Sequence, residues 1–176
     1  MPAYYTYLIS SLPMLNFSAR APFNLADFFM RCKNLIPENE LELLNNVCRQ
    51  DLYALTVQSK DSLKQWVGFE IALRNELVRA RSARKKIDPL KFLRLPDSPQ
   101  AEISHLALAA YRSSSILEGE KILDLGRWNF LENLSQRHYF DFDYLLIYML
   151  KLKILERWDK IQSSDKETLL AAAVLN

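Results

Sequence analysis

The chain has 176 residues, of which 49% are hydrophobic and 25% charged, and its formal net charge is +2. That length holds one domain with a sizeable core, or two small helical lobes, and that balance excludes a globally disordered chain. The net charge is too small to demand a polyanionic partner, so any electrostatic role must come from where the charges sit.

The segment from Tyr4 to Leu12 is aromatic and apolar without a clear period, so a buried strand and a helical turn both remain open. It stops at Pro13, is too short to span a bilayer and lacks the basic start of a signal peptide, so the protein is expected to be soluble and cytoplasmic. Pro13 and Pro22 bracket a loop. Asn24 then reads as an N-cap, with Asp27 three residues on, for a helix carrying Phe28, Phe29 and Leu35. Pro37 stands where a further helix begins, with Glu38 and Glu40 near its positive dipole end. From about Lys60 to Lys86, Leu63, Trp66, Val67, Leu73, Leu77 and Ala80 recur at helical spacing. Asp88-Pro89 is expected to end that helix, because the residue before proline avoids the α region.

After the connector KFLRLPDSP, the pair Ser98-Pro99 reads as a helix start. Helices follow from about Pro99 to Ser113 and from Ile116 to Gln136. The stretch FDFDYLLIYMLKLKILERWDKI looks membrane-like, yet it carries Asp143, Lys151, Lys153, Glu156 and Arg157. Each is costly in lipid, so a buried amphipathic helix is expected instead. Ser164 with Glu167 reads as a capping box for a separate C-terminal helix. The fold expectation is therefore all-α: a compact bundle of about seven helices, with a short N-terminal strand as an option. It is read as a single domain over 1–176, with 1–95 and 96–176 as candidate lobes. Tyr5, Leu8, Phe28, Phe29, Leu44, Trp66, Leu73, Leu77, Leu106, Phe130, Leu145, Met149 and Leu152 are its core candidates.

Catalytic arrangements are missing. The glycines Gly68, Gly119 and Gly126 stand far apart, which excludes the clustered glycines of a P-loop or dinucleotide fingerprint. Cys32 and Cys48 read as two free, partly buried thiols of a reducing compartment. His105 and His138 have no second ligand at i+3 or i+4 that forms a known motif, and His105, on an apolar helix, reads as a core histidine. Ser113 to Ser115 read as a loop and not as a nucleophile elbow. The expectation is no catalytic residue, no metal and no cofactor. Glu70 and Glu156 each interrupt an apolar stripe with a base four residues on, Arg74 and Lys160. A carboxylate pair for acid/base work, an i,i+4 ion pair and a contact between helices are the three options, and structural buried carboxylates are the favoured one. The shared pattern also raises an internal duplication of helical units.

The strongest charge feature is RNELVRARSARKKIDPLKFLR, residues 74–94. One reading is a solvated helix face with a favourable basic C-terminal end; another is a docking surface for an acidic partner, with Arg79, Arg81, Arg84, Lys85 and Lys86 as its contacts. Nucleic acid is disfavoured, since no stacking platform accompanies the charges.

The blocks YYTYLISSLPML, PFNLADFFMRCKNL, EIALRNELVRARSARKKIDPLKFL and HYFDFDYLLIYMLKLKILERWDKI resemble a small bacterial family of unassigned function, typically encoded beside V-type ATPase subunits. FEIALRNELVRAR and FDYLLIYMLKLKILERW are also similar to helices of the V-type ATPase funnel (the component named C in bacteria and d in eukaryotes). That component is all-helical, sits on the membrane ring and receives the central shaft. This chain is considerably shorter than the funnel. The resemblance implies a non-catalytic accessory or central-stalk-like component, partnered by V-type ATPase subunits, peripheral to the membrane through protein contacts and without a small-molecule substrate. The alternative is a free-standing helical adaptor that binds an acidic protein or nucleic acid through residues 74–94.

Overall fold

A computed structural model describes the backbone of residues 4–49, 60–95 and 100–174, and the side chains as far as Ser164. The described residues are all-α, without a strand. Their helices are α1 (Tyr5–Ser11), α2 (Leu25–Cys32), α3 (Glu38–Arg49), α4 (Asp61–Lys85), α5 (Ala101–Tyr111), α6 (Ile116–Ser135) and α7 (Phe142–Val174), with a 3-10 turn at Pro89–Phe92. Backbone contacts group the chain into two units: residues 1–51 with 134–176, and residues 52–133. The division expected from sequence, 1–95 and 96–176, runs along the chain, whereas the first of these units joins its two ends.

In the first unit α7 carries α2 and α3. Every residue from Leu145 to Leu152 is buried, Lys151 included, and the exposed polar stripe expected of an amphipathic helix begins only at Lys153, continuing through Arg157 and Lys160. Phe28 of α2 stacks on Tyr148 at 5.8 Å, and Phe23 stacks on the same ring at 6.4 Å. The Tyr148 hydroxyl donates to the Pro13 carbonyl at 2.9 Å, and burial, chiefly, raises its pKa. Two further bonds tie distant chain to α7: Ala21 N–H donates to Asp159 at 2.9 Å, and Lys153 Nζ to the Cys48 carbonyl at 2.8 Å. Asn24 caps α2 as expected, accepting from Asp27 N–H at 2.8 Å.

At the ends of the chain one open reading is decided and one expectation is corrected. The N-terminal segment is a helix: with no neighbouring strand among the described residues, its backbone groups are satisfied internally, and Tyr4 N–H reaches Leu35 O at 2.8 Å. Tyr5 of this helix also donates its hydroxyl to Glu40 of α3. At the other end Ser164 does not start a new helix. Its hydroxyl bonds back to Lys160 O at 2.8 Å inside the continuous α7, since no proline or glycine interrupts the run. The Glu167 side chain and the Ser98-Pro99 start lie outside the described residues.

In the second unit α5 and the 3-10 turn pack on α4. Trp66 and Phe69 of α4 form an aromatic layer with Phe130 of α6, with centroids 4.3 Å apart for Phe69 and Phe130. α4 ends two residues earlier than its proline requires. Lys86 adopts the left-handed conformation (φ 54°), and Ile87 N–H closes back onto Ser82 O at 3.1 Å. Asp88 instead caps the 3-10 turn. Of the core candidates, Leu8, Phe28, Leu44, Trp66, Leu73, Leu145, Met149 and Leu152 are buried; Tyr5, Phe29, Leu77, Leu106 and Phe130 are half-buried.

Two helical glycines of this unit face opposite surroundings. A Cβ at Gly68 would meet nothing within 4 Å, whereas one at Gly119 would lie 2.8 Å from the Ala110 carbonyl oxygen, a backbone atom that has no rotamer to give way. Gly68→Ala should therefore raise the unfolding free energy by about 1 kcal/mol. Gly119→Ala should lower it by about 1–3 kcal/mol despite the same gain in helix propensity. Urea-unfolding midpoints of the two variants check both signs.

Candidate docking surface

Along α4 the sequence changes task, from burying aromatic and aliphatic groups to presenting cations. Its middle turn carries Glu70, which is buried. A buried carboxylate needs a cation or a proton. The cation is Arg127 of α6, whose Nε donates to Glu70 Oε1 at 2.7 Å and whose Nη2 donates to Oε2 at 3.3 Å. Arg127 Nη1 also donates to Asp124, itself 1% exposed, at 2.8 Å. Burial by itself disfavours the guanidinium charge, but the two carboxylates outweigh it and raise the Arg127 pKa above the ordinary arginine value. Glu70 is thus a contact between helices, and the i,i+4 alternative with Arg74 is replaced: Arg74 Nη1 reaches the Phe92 carbonyl at 3.0 Å. The pair Asp124 and Arg127, at i,i+3 on one helix, was the sequence signal for this triad.

Glu156 differs from Glu70. Its side chain is partly exposed, pairs with Lys160 of its own helix at 3.4 Å, and lines a surface pocket of 450 Å³ with Arg20, Phe23, Asn24 and Asp159. The expectation of a buried group between helices is corrected there, because α7 turns Glu156 outward past its buried stretch. Glu70 and Glu156 belong to different units, and the local pattern they share in sequence meets different partners.

The expected docking residues occupy the last turns of α4. Arg79 pairs with Glu76 at 2.6 Å, while Arg81, Arg84, Lys85 and Lys86 are exposed. Arg81 also lines a pocket of 280 Å³ with Tyr111, Ser113, Ser114 and Glu120 at the α5–α6 turn. Part of this charge is explained locally, since cations at a helix C-terminus complement its dipole by about 0.3–1 kcal/mol each. Lys86, the C-cap, shares that benefit, but a left-handed position favours glycine, and a lysine there costs about 1–2 kcal/mol.

The end of α4 is braced by a residue that carries no motif. Asn75, fully buried, accepts from Arg94 N–H at 2.9 Å and donates to Arg94 O at 2.8 Å. Residues 87–94 are thereby pinned back onto the helix. A polar amide inside an apolar stripe was its only signal in the sequence.

Among the remaining chemically capable side chains, His138 has a local partner, whereas Asp143 Oδ1 is buried without a hydrogen-bond partner among the described residues. His138 Nδ1 lies 2.8 Å from Asp141 Oδ2, a carboxylate at i+3, and with Asp143 the two form a group whose ligand atoms lie within 4.8 Å of one another. Asp141 Oδ1 accepts from Tyr144 N–H at 2.8 Å, so this group also caps the start of α7. His105 is exposed, which corrects its expected place in the core: α5 turns Ile103, Ala107 and Ala110 inward instead. Ser113 to Ser115 form a turn, with Ser115 Oγ accepting from Glu118 N–H at 3.1 Å at the start of α6. Both cysteines are free; Cys32 is buried, and burial pushes its thiol up to about 12. Among the described residues no helix is long and apolar enough to cross a membrane.

Residues 101–171, from the first residue of α5 into α7, match the profile of a family described as protein of unknown function (DUF2764). No curated protein and no solved structure matches the chain.

Arg127→Met leaves Glu70 and Asp124 without their cation and should destabilise the second unit by about 3–5 kcal/mol, read from chemical denaturation followed by tryptophan fluorescence. Cys32 has a folded pKa above its unfolded 9.0, so the folded state holds the proton more tightly. Its stabilising contribution is complete below pH 9 and is lost as the pH rises toward 12. A urea midpoint that falls more steeply over this window for the wild type than for Cys32→Ala would report it.

Proposed function

We propose that this protein is a non-catalytic accessory or central-stalk-like component of a bacterial V-type ATPase, acting through protein docking. Two things support the reading. The helices that resemble those of the ATPase funnel are α4 and α7, the two longest of the described structure, at 25 and 33 residues. A part that transmits force in a rotary machine needs such stiff elements. The second support is the exposed cationic end of α4, with Arg81, Arg84, Lys85 and Lys86 as its docking contacts. Clustered charge of one sign favours a partner of the opposite sign and speeds encounter.

The observation that carries the reading is Lys86. It is a solvated cation in a backbone conformation that glycine would adopt without strain. The favourable dipole contact offsets only part of that strain, and strain of this kind is commonly retained where the side chain is used. The same cations would also suit a free-standing adaptor for an acidic protein or nucleic acid, which differs from the ATPase reading in the partner it recovers.

Affinity capture of the tagged full chain from its native cytoplasm and solubilised membranes, followed by mass spectrometry, tests the proposal. V-type ATPase subunits at near-stoichiometric yield are expected, and a capture lacking every one of them would overturn it. Nucleic acid recovered with a steep loss at rising salt would favour the adaptor. Lys86→Gly should separate function from folding: unfolding free energy rises by up to about 1 kcal/mol, while the yield of captured subunits falls.

A further inference from the structure

Just past the basic end of α4, four large apolar side chains stand in water. Ile87, Leu90, Phe92 and Leu95 are 46%, 74%, 50% and 85% exposed. Single exposed apolar residues are ordinary on a protein surface, but a cluster within one short segment is not. The segment is held firmly. Asp88 accepts from Leu90 N–H at 3.0 Å, Arg74 donates to the Phe92 carbonyl at 3.0 Å, and Asn75 grips Arg94 through both backbone groups. With its backbone pinned at these points, the turn displays its apolar groups and does not fold them inward.

Cations flank them in the sequence. Lys85, Lys86 and Lys91 are exposed and have no carboxylate partner among the described residues. Asp88 is the single acid between residues 85 and 95, and it gives an oxygen to the cap. The partner that fits must therefore be anionic and must also take up apolar side chains. Nucleic acid meets the first demand and leaves the apolar groups in water. A protein surface can meet both, as the ATPase reading has it for the cations of α4, but the apolar side chains of the turn alone fall well short of the roughly 800 Å² that each side of a stable protein interface buries. At a bilayer surface electrostatic attraction supplements a small apolar area: lysine ammonium groups pair with lipid phosphates while Leu and Phe enter the acyl boundary below them.

We propose that residues 85–95 form an interfacial membrane contact selective for anionic phospholipid. The proposal does not rest on the ATPase reading, and its test uses this chain and lipid alone. The turn dips its apolar side chains into one leaflet and leaves its backbone, already bonded to α4, unchanged. Binding then needs no folding step, and both charge and apolar contact contribute to it.

The test is sedimentation of the full chain with phosphatidylcholine vesicles, with and without phosphatidylglycerol. Binding is expected only with phosphatidylglycerol, and it should weaken as salt rises. The double variant Leu90→Ser/Phe92→Ser should partition about tenfold or more weakly, and Lys85→Glu/Lys86→Glu should lose binding. All four positions are exposed, and circular dichroism checks that the variants fold. Phe92→Trp adds a direct probe: anionic vesicles should shift its emission to the blue, read as a difference from the wild type. Equal affinity for both vesicles, or undiminished binding by the Leu90→Ser/Phe92→Ser variant, would overturn the proposal. So would a turn that fails to bind vesicles yet is required for capture of a protein partner.

Discussion

A carboxylate placed inside a packed helix must find a cation, and Glu70 makes that demand in the middle of α4. Arg127 meets it with a two-point contact and is shared with Asp124, so three charged groups lock α4 to α6 at one level. The aromatic layer of Trp66, Phe69 and Phe130 lies close by on the same two helices. Dispersion and burial hold that layer together, but they set no register, because aromatic rings tolerate sliding. The charged contact sets the register, since a guanidinium and a carboxylate meet well in few geometries. A buried triad of this kind adds little net stability over a well-packed apolar alternative, and its loss is costly all the same.

The same helix then ends in solvent, and the transition is organised by Asn75. Its amide replaces the backbone partners that Arg94 would otherwise lack, which holds the 3-10 turn against α4. Cations at the helix end and apolar groups on the turn are thereby presented from a rigid support. Lys86 shows that the arrangement is not the most stable one this backbone allows, because a glycine would relieve its left-handed conformation. Rigid presentation lowers the ordering cost of binding, whichever surface is met.

The first unit depends on another buried polar group. Tyr148 lies in the stretch of α7 that is buried throughout, receives Phe23 and Phe28 against its ring, and sends its hydroxyl to Pro13 O. One side chain thus fixes both the α2 packing and the loop before it. The long apolar run of α7 reads as membrane-like for the same reason that it makes a core: no face of it is solvated between Leu145 and Leu152.

Much of the helical framework was legible from local chemistry. Asn24 capping α2, proline before α3, the apolar spacing of α4 and the positions of α5 and α6 each depend on residues within a few positions, and the structure places helices there. The continuity of α7 through Ser164 and the choice of helix over strand at the N-terminus were not legible, since competing local signals differ there by about 1 kcal/mol. The sequence by itself determined the helical class, the exposed basic end of α4 and the buried run of α7, because composition and period act locally. Tertiary structure alone decided that Glu70 meets Arg127 and not Arg74, that Glu156 stays partly exposed, that Asn75 braces the turn, and that the chain's two ends form one unit. Those outcomes depend on which distant residues share an interior. Desolvation makes that pairing decisive, and sequence spacing carries no record of it.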